Sequence, residues 1–118
     1  MAEQCTIQND LGKIIIDENV IATLVGYATV ECAGIVGMAS KRATDGLVEM
    51  LGRENMRRGV RVSLNGSSAA VSVFIVVEYG VSIGAVAKTV MESIKYRVED
   101  MTGLEITNVD VTVEGIRI

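Results

Sequence analysis

Residues 69–103 decide the fold, and they read AAVSVFIVVEYGVSIGAVAKTVMESIKYRVEDMTG. From Ala69 to Val77 the apolar residues alternate, which predicts a strand. Ser82 is a good helix N-cap and Gly103 a good helix end, so a long helix is predicted between them. The apolar stripe of this helix recurs at Ile83, Val86, Val90, Ile94, Val98 and Met101. A strand that leads into a long amphipathic helix indicates a domain that mixes α and β elements.

The second face of this strand is also partly apolar, because Phe74 and Val76 lie on it beside Ser72. A strand with apolar residues on both faces is expected in the middle of a sheet or beneath another chain. We therefore predict that the protein forms a homo-oligomer, and that Phe74 and Val76 contribute to its self-association surface.

The chain before this stretch contains a helix between two strands. A β-branched run predicts the first strand at Gly12–Ile16, and Asp17 is placed to cap the first helix. The stripe of this helix is Ile21, Leu24, Val25, Ala28 and Cys32, with Gly34 as its expected end. Alternation at Val60–Leu64 predicts a second strand, which turns at Asn65-Gly66 into the next one.

The last strand is predicted at Val109–Val113, and Leu104 and Ile106 are out of register with it. A bulge or a separate short strand is therefore expected near Asn108. In the least regular part of the chain, Asp45–Leu51 fits a short helix.

The predicted elements follow the order βαββαβ. This order predicts an α+β fold, a two-layer sandwich with two long helices packed on one face of a mixed sheet. The length of 118 residues suits one core, so we expect a single domain over residues 1–118. Residues 1–10 are expected to form a flexible N-terminal lead.

The composition excludes most enzyme chemistry. The chain has no His, and its hydrophobic fraction of 49% fits a globular protein. Without His, neither a Ser–His or Cys–His nucleophile pair nor an imidazole metal ligand can form. The adjacent acids Glu99 and Asp100 face different directions on a helix, so we interpret them as solubility charges. We predict that the protein is not an enzyme and has no catalytic residue, metal or cofactor.

The net charge is −4, but its distribution is uneven. Between residues 40 and 61, six basic residues oppose three acidic ones, whereas the rest of the chain carries −7. This segment is predicted to dock an acidic partner surface through Arg53, Arg57, Arg58 and Arg61. The alternative is a solvated loop whose arginines form local ion pairs.

Nucleic acid is not expected as a partner, because a polyanion would be repelled by the acidic remainder of the chain. The GxxG spacing of Gly34-Ile35-Val36-Gly37 occurs in nucleic-acid clamps, but a helix-capping turn explains it better. The chain has no adjacent aromatic residues for base stacking and no glycine-rich phosphate loop.

The cysteines and the N-terminus indicate a cytoplasmic protein. Cys5 and Cys32 are too few and too far apart for a disulfide scaffold, and Cys32 is predicted in the core. The N-terminus lacks the basic and apolar regions of a signal peptide. The longest apolar stretch, Ala69–Val77, is too short to cross a bilayer as a helix. Membrane contact is therefore expected only through a partner.

Several phrases of the chain, taken in order, resemble one family. These phrases are Gly12–Ile14, Ile16–Ile21, Glu31–Met38, Leu51–Asn55, Val76–Ile83, Met101–Leu104 and Val111–Ile116. In order and spacing, the chain resembles the alkaline-shock protein (Gls-type) envelope stress response family of Gram-positive bacteria. The resemblance runs from about residue 8 to the C-terminus.

The resemblance implies a non-enzymatic interaction or scaffold protein without catalytic residues or cofactors. It further implies that the protein self-assembles and docks to a small membrane-anchored partner, which holds it at the inner face of the cell membrane. An alternative is a small-molecule-binding regulatory domain of the ACT type, which shares the βαββαβ order.

Overall fold

The computed structural model describes residues 4–39, 50–51 and 59–118. Within these residues the chain forms seven strands and two helices, so the predicted α+β class is confirmed. In chain order the elements are β1 (Gln4–Asn9), β2 (Gly12–Asp17), α1 (Glu18–Val30), β3 (Ile35–Ala39), β4 (Met50–Leu51), β5 (Val60–Asn65), β6 (Ser68–Glu78), α2 (Ile83–Thr102) and β7 (Glu105–Arg117).

The predicted order βαββαβ is wrong, because β1, β3 and β4 are additional strands. β1 occupies Gln4–Asn9, where a flexible lead was expected, and it pairs antiparallel with β2. In β1 only two alternating residues, Cys5 and Ile7, pack into or against the core. An alternation of two residues is too short to predict a strand from the sequence. The helix predicted at Asp45–Leu51 lies outside the described residues except for its last two, which form β4.

β6 is the central strand of the main sheet. β5 and β3 both pair antiparallel with one edge of β6, β5 along Ser68–Val73 and β3 along Ile75–Val77. β7 pairs with the other edge in parallel, and α2 provides the long crossover that parallel neighbours need. The predicted turn is confirmed, because Gly66, at φ +64°, begins a two-residue connection between β5 and β6.

The core lies between β6 and the two helices. Alternate residues of β6 enter it, namely Val71, Val73, Ile75 and Val77. The helices add Ile21, Val25 and Ala28 from α1, and Val90, Ile94 and Val98 from α2. Full burial of a Val or Ile side chain contributes about 1.5–3 kcal/mol, so this cluster is a main source of stability.

β7 contains the irregularity predicted from its sequence. Ile106 and Asn108 oppose consecutive residues of β6, so Thr107 is one extra residue in β7. The Thr107 hydroxyl donates a hydrogen bond of 3.2 Å to the Ala69 carbonyl oxygen, which ties the bulge to β6. The prediction near Asn108 is confirmed, and it takes the form of a bulge within one continuous strand.

Both predicted ends of α2 are confirmed. The Ser82 hydroxyl accepts a hydrogen bond from the Ala85 N–H at 3.4 Å, and Gly103 follows the helix in a left-handed conformation at φ +79°. At α1, Asp17 is the N-cap residue, but its side chain makes no cap hydrogen bond. This helix ends at Val30, earlier than the expected end at Gly34.

The β1–β2 hairpin is attached to the main sheet at the turn between β5 and β6. The Cys5 thiol donates a hydrogen bond to the Gly66 carbonyl oxygen at 2.8 Å, and the Thr6 N–H donates to the same oxygen at 3.3 Å. Cys5 is fully buried, and this burial raises the pKa of its thiol. Cys32, the cysteine that was predicted in the core, packs against the core but stays partly exposed.

Candidate interaction surface

The face of the main sheet that points away from the core carries mixed charge. The register places Arg61 of β5, Ser72 of β6 and Asp110 of β7 side by side across the sheet. The guanidinium carbon of Arg61 lies 5.6 Å from the centre of the Phe74 ring, which is within range of a cation–π contact. These residues define the open face, and a hollow of about 370 Å³ lies over Arg61, Ser72 and Asp110.

The two residues predicted for self-association differ in exposure. Phe74 is half-buried on the open face, where part of its ring remains available to a partner. Val76 is only 4% exposed in the single chain, so it offers almost no surface to a second copy. The contribution of Val76 to a self-association surface stays a prediction, and the single chain exposes little of this side chain for it. Alternation places Val76 on the same face as Phe74, but the burial of that end of β6 depends on the tertiary structure.

The predicted docking patch is described at one of its four positions. Arg61 is exposed and lies on the open face of the sheet. Arg53, Arg57 and Arg58 lie outside the described residues. The structure therefore gives the geometry of Arg61 alone, and its contact with Phe74 joins one predicted docking residue to one predicted self-association residue.

A groove between the two helices is a feature that the sequence did not predict. It has a volume of about 230 Å³, and its lining includes Leu24 and Tyr27 from α1 and Met101 from α2. Met101 is 64% exposed and Tyr27 is 42% exposed. Arg97 and Glu31 form an ion pair of 2.6 Å across this groove. The apolar repeat predicted each helix, but the groove depends on how the two helices pack.

Glu99 has a structural role that was not predicted, because it binds the edge of β7 that faces away from β6. Its carboxylate accepts a hydrogen bond from the Ile106 N–H at 2.9 Å and forms an ion pair with Lys95 at 3.1 Å. Lys95 in turn donates a hydrogen bond to the Ile106 carbonyl oxygen at 3.0 Å. The backbone hydrogen bond from Ile106, followed by the hydrogen bond from Lys95, lowers the pKa of Glu99.

We expect Glu99→Gln to lower the stability at neutral pH and to reduce the loss of stability on acidification. The pKa of Glu99 is lower in the folded state, so its contribution is present above the pKa of the unfolded chain. This contribution is lost as the pH falls through the folded-state pKa. Urea denaturation at neutral and acidic pH measures the effect. Glu92→Gln on the same helix is the control, and an equal response from both variants would contradict the prediction.

Two further properties concern the described residues as a set. None of their acidic or cysteine side chains group in threes at distances that would suit a metal ion. Neither α1 nor α2 has the length and hydropathy required to cross a membrane.

Comparison with solved structures defines the class of fold. The chain is similar to the copper form of the MamM CTD, with a TM-score of 0.53 and 14% sequence identity. The alignment covers 86% of this chain and 88% of that one. At this identity, the similarity shows a shared α+β fold and nothing about function.

Comparison of sequences identifies the family. The model of the alkaline-shock protein 23 family, described as having a cell envelope-related function, matches residues 6–118, so the chain belongs to this family. The resemblance to alkaline-shock proteins is thereby confirmed. The chain is 42% identical over 113 residues to the uncharacterized protein YloU of Bacillus subtilis. This alignment covers 95% of this chain and 94% of YloU.

More distant relatives carry a functional name. A protein of Streptococcus pyogenes serotype M3, named stress response regulator gls24 homolog, is 26% identical over 106 residues. This alignment covers 90% of the chain but only 59% of that longer relative.

A nearer relative has no functional name. The uncharacterized protein Spy1614 of Streptococcus pyogenes serotype M6 is 39% identical over 108 residues, and this alignment covers 91% of this chain and 89% of that protein.

Proposed function

We propose that the protein is a non-enzymatic interaction module of the envelope stress response, which acts by binding other proteins. The protein lies in the cytoplasm and docks to a small partner that is anchored in the membrane, so its own contact with the membrane is indirect. The cell envelope-related function of the family and the stress-regulator name of its distant relatives support this setting. Neither a metal nor a cofactor takes part.

The observation that carries the proposal is the arrangement of Arg61 and Phe74 on the open face. Arg61 is exposed and close to the ring of Phe74, so the open face offers a positive charge beside a partly exposed aromatic ring. Arginine and aromatic residues, Phe included, are enriched in protein interfaces relative to the rest of the surface. Asp110 lies in the same row across the sheet, so a partner would have to match charges of both signs.

The partner is an acidic protein surface and not a nucleic acid. Four positive charges lie close together in the sequence, because Arg61 follows Arg53, Arg57 and Arg58 within eight residues. Exposed ion pairs contribute about 0–1 kcal/mol each, so no single arginine should be decisive. The same open face, around Phe74, supplies a surface for self-association.

We expect replacement of Arg53, Arg57, Arg58 and Arg61 by Ser to weaken partner binding by about tenfold at low salt, and less at high salt. The partner is first identified by cross-linking in native membranes, and its binding to the purified variants is then measured. Arg61→Ser alone should have a small effect, and Lys88→Ser, which removes an exposed charge on α2, is the matched control. Undiminished binding by the fourfold variant, or tight and salt-sensitive binding of RNA by the wild type, would contradict the proposal.

A further inference from the structure

The outer edge of β2 has no strand partner in the described part of the chain. β1 and β2 form a two-stranded sheet of their own, and β1 lies on only one side of β2. Both faces of β2 carry exposed apolar side chains beside this edge, because Ile14 and Ile15 project to opposite faces and are 49% and 57% exposed. An exposed apolar edge strand is a template for pairing with another chain.

The register of the hairpin shows which backbone groups are available. Asn9 pairs with Gly12 across the two-residue turn, so this pair and every second pair after it exchange hydrogen bonds within the hairpin. The backbone N–H and C=O groups of Lys13 and Ile15 and the N–H of Asp17 are therefore free to pair outside β1, whereas the Asp17 carbonyl, as that of the N-cap residue, accepts the first hydrogen bond of α1. These three residues form a row of donors and acceptors along the outer edge of β2.

We infer that this edge pairs with the β2 edge of a second copy of the chain, in an antiparallel arrangement centred on Ile15. In this register Ile15 faces its own copy, and Lys13 of each chain faces Asp17 of the other. This register uses the N–H and C=O of Ile15, the C=O of Lys13 and the N–H of Asp17. The inference adds a second surface to the proposed self-association and does not depend on the open face around Phe74.

Charge complementarity favours a second copy over an unrelated strand. The pairing brings each Lys13 opposite an Asp17, and opposite charges that face each other across two strands are stabilising.

The edge of β7 that faces away from β6, which has no strand partner among the described residues, provides the contrast. Two register shifts interrupt the pairing of β7 with β6, at Thr107 and near Glu114. At Ile106 its outward N–H and C=O groups are already bonded by Glu99 and Lys95 of α2. Bulges and covering side chains are the usual protection of edge strands, and the edge of β2 has neither in the described residues.

The first test compares the oligomeric state of the wild type, Ile15→Lys and Ile15→Thr by sedimentation velocity over a range of concentrations. We expect the wild type to dimerise and Ile15→Lys to weaken the dimer at least about fivefold, because two like charges then face each other. Ile15→Thr keeps a neutral β-branched residue and should weaken the dimer less. Circular dichroism checks that each variant is folded, which the exposure of Ile15 favours.

The second test is cross-linking with a short thiol-reactive reagent. Ile15→Cys should cross-link efficiently, because residues directly opposite in a hydrogen-bonded pair have Cα atoms about 5.5 Å apart. Leu11→Cys is the control. Leu11 is 98% exposed but would lie about 25 Å from its own copy in this register. The wild type shows the background from the two native cysteines.

The outcomes separate this inference from the proposed function. A monomeric wild type, an undiminished dimer in Ile15→Lys, or equal cross-linking at residues 11 and 15 would overturn the pairing of β2. Phe74→Glu is measured in parallel, and a dimer lost in this variant but kept in Ile15→Lys would assign self-association to the open face. Partner binding through the arginines is measured separately, so it stands or fails independently.

Discussion

Ile75→Ala is expected to lower the free energy of unfolding by about 2–5 kcal/mol, the range for truncating a buried Ile. Ile75 is fully buried in the central strand β6, where it belongs to the cluster that both helices cover. Its loss leaves a cavity that a close-packed core between a sheet and two helices can only partly fill. Urea denaturation measures the effect as a lower midpoint with an unchanged slope.

Phe74→Ala is the matched control for this prediction, because Phe74 is adjacent to Ile75 but points to the open face. Although the Phe side chain is larger, it is half-buried, so its truncation should cost clearly less than that of Ile75. Equal losses for the two variants would mean that the open face is as tightly covered as the core. That result would contradict the assignment of the open face as a surface for partners.

Gly34→Ala is expected to lower the stability by about 2–4 kcal/mol, for two separate reasons. Gly34 has φ +89°, a conformation that residues with a side chain rarely adopt. A methyl group at this position would also lie 2.8 Å from Cγ2 of Val86 on α2, and the β-branched Val86 side chain has little freedom to move away. Thermal and urea denaturation measure the loss.

Three further variants separate the two causes. Gly66→Ala introduces the backbone strain alone, because Gly66 has φ +64° and no atom lies within 4 Å of the added methyl group. Gly84→Ala introduces neither, since it lies within α2 with open space around it, and it should be neutral or stabilising by up to about 1 kcal/mol. In a Val86→Ala background, which itself loses packing against the core, Gly34→Ala should cost less than in the wild type, because the steric part of the loss is absent. A Gly34→Ala variant as stable as Gly84→Ala would contradict the prediction.

The elements predicted most accurately are those with strong local patterns. The strand from Ala69 and the helix after Ser82 were located within about one residue of β6 and α2, because alternation, helical spacing and end residues agree along both. The bulge near Asn108 followed from a break in the same alternation. Where several local signals coincide, the sequence is sufficient to place an element.

The missed features depend on contacts between distant parts of the chain. β3 begins one residue after Gly34, inside a segment that resembles a turn, and it becomes a strand by pairing with the end of β6. The same holds for the bond between Glu99 and the backbone of Ile106, since a charge pattern on α2 says nothing about the neighbouring strand. Of the candidate site, the sequence supplied Arg61 and Phe74, but only the register of β5 on β6 brings them together.

The way in which β3 and β5 share one edge of β6 bears on how this family can diversify. β3 ends at Ala39 and β5 begins at Val60, and a methyl group on Gly59 would lie only 2.7 Å from the Ala39 carbonyl oxygen. The ends of the intervening stretch thus meet at a fixed point of the sheet. Loop-closure entropy grows slowly with length, by about 0.6 kcal/mol for each doubling. β4 lies between these points and pairs with β3, so we expect an insertion that leaves Met50–Leu51 in place to cost the fold little, because the sheet already fixes where the stretch begins and ends.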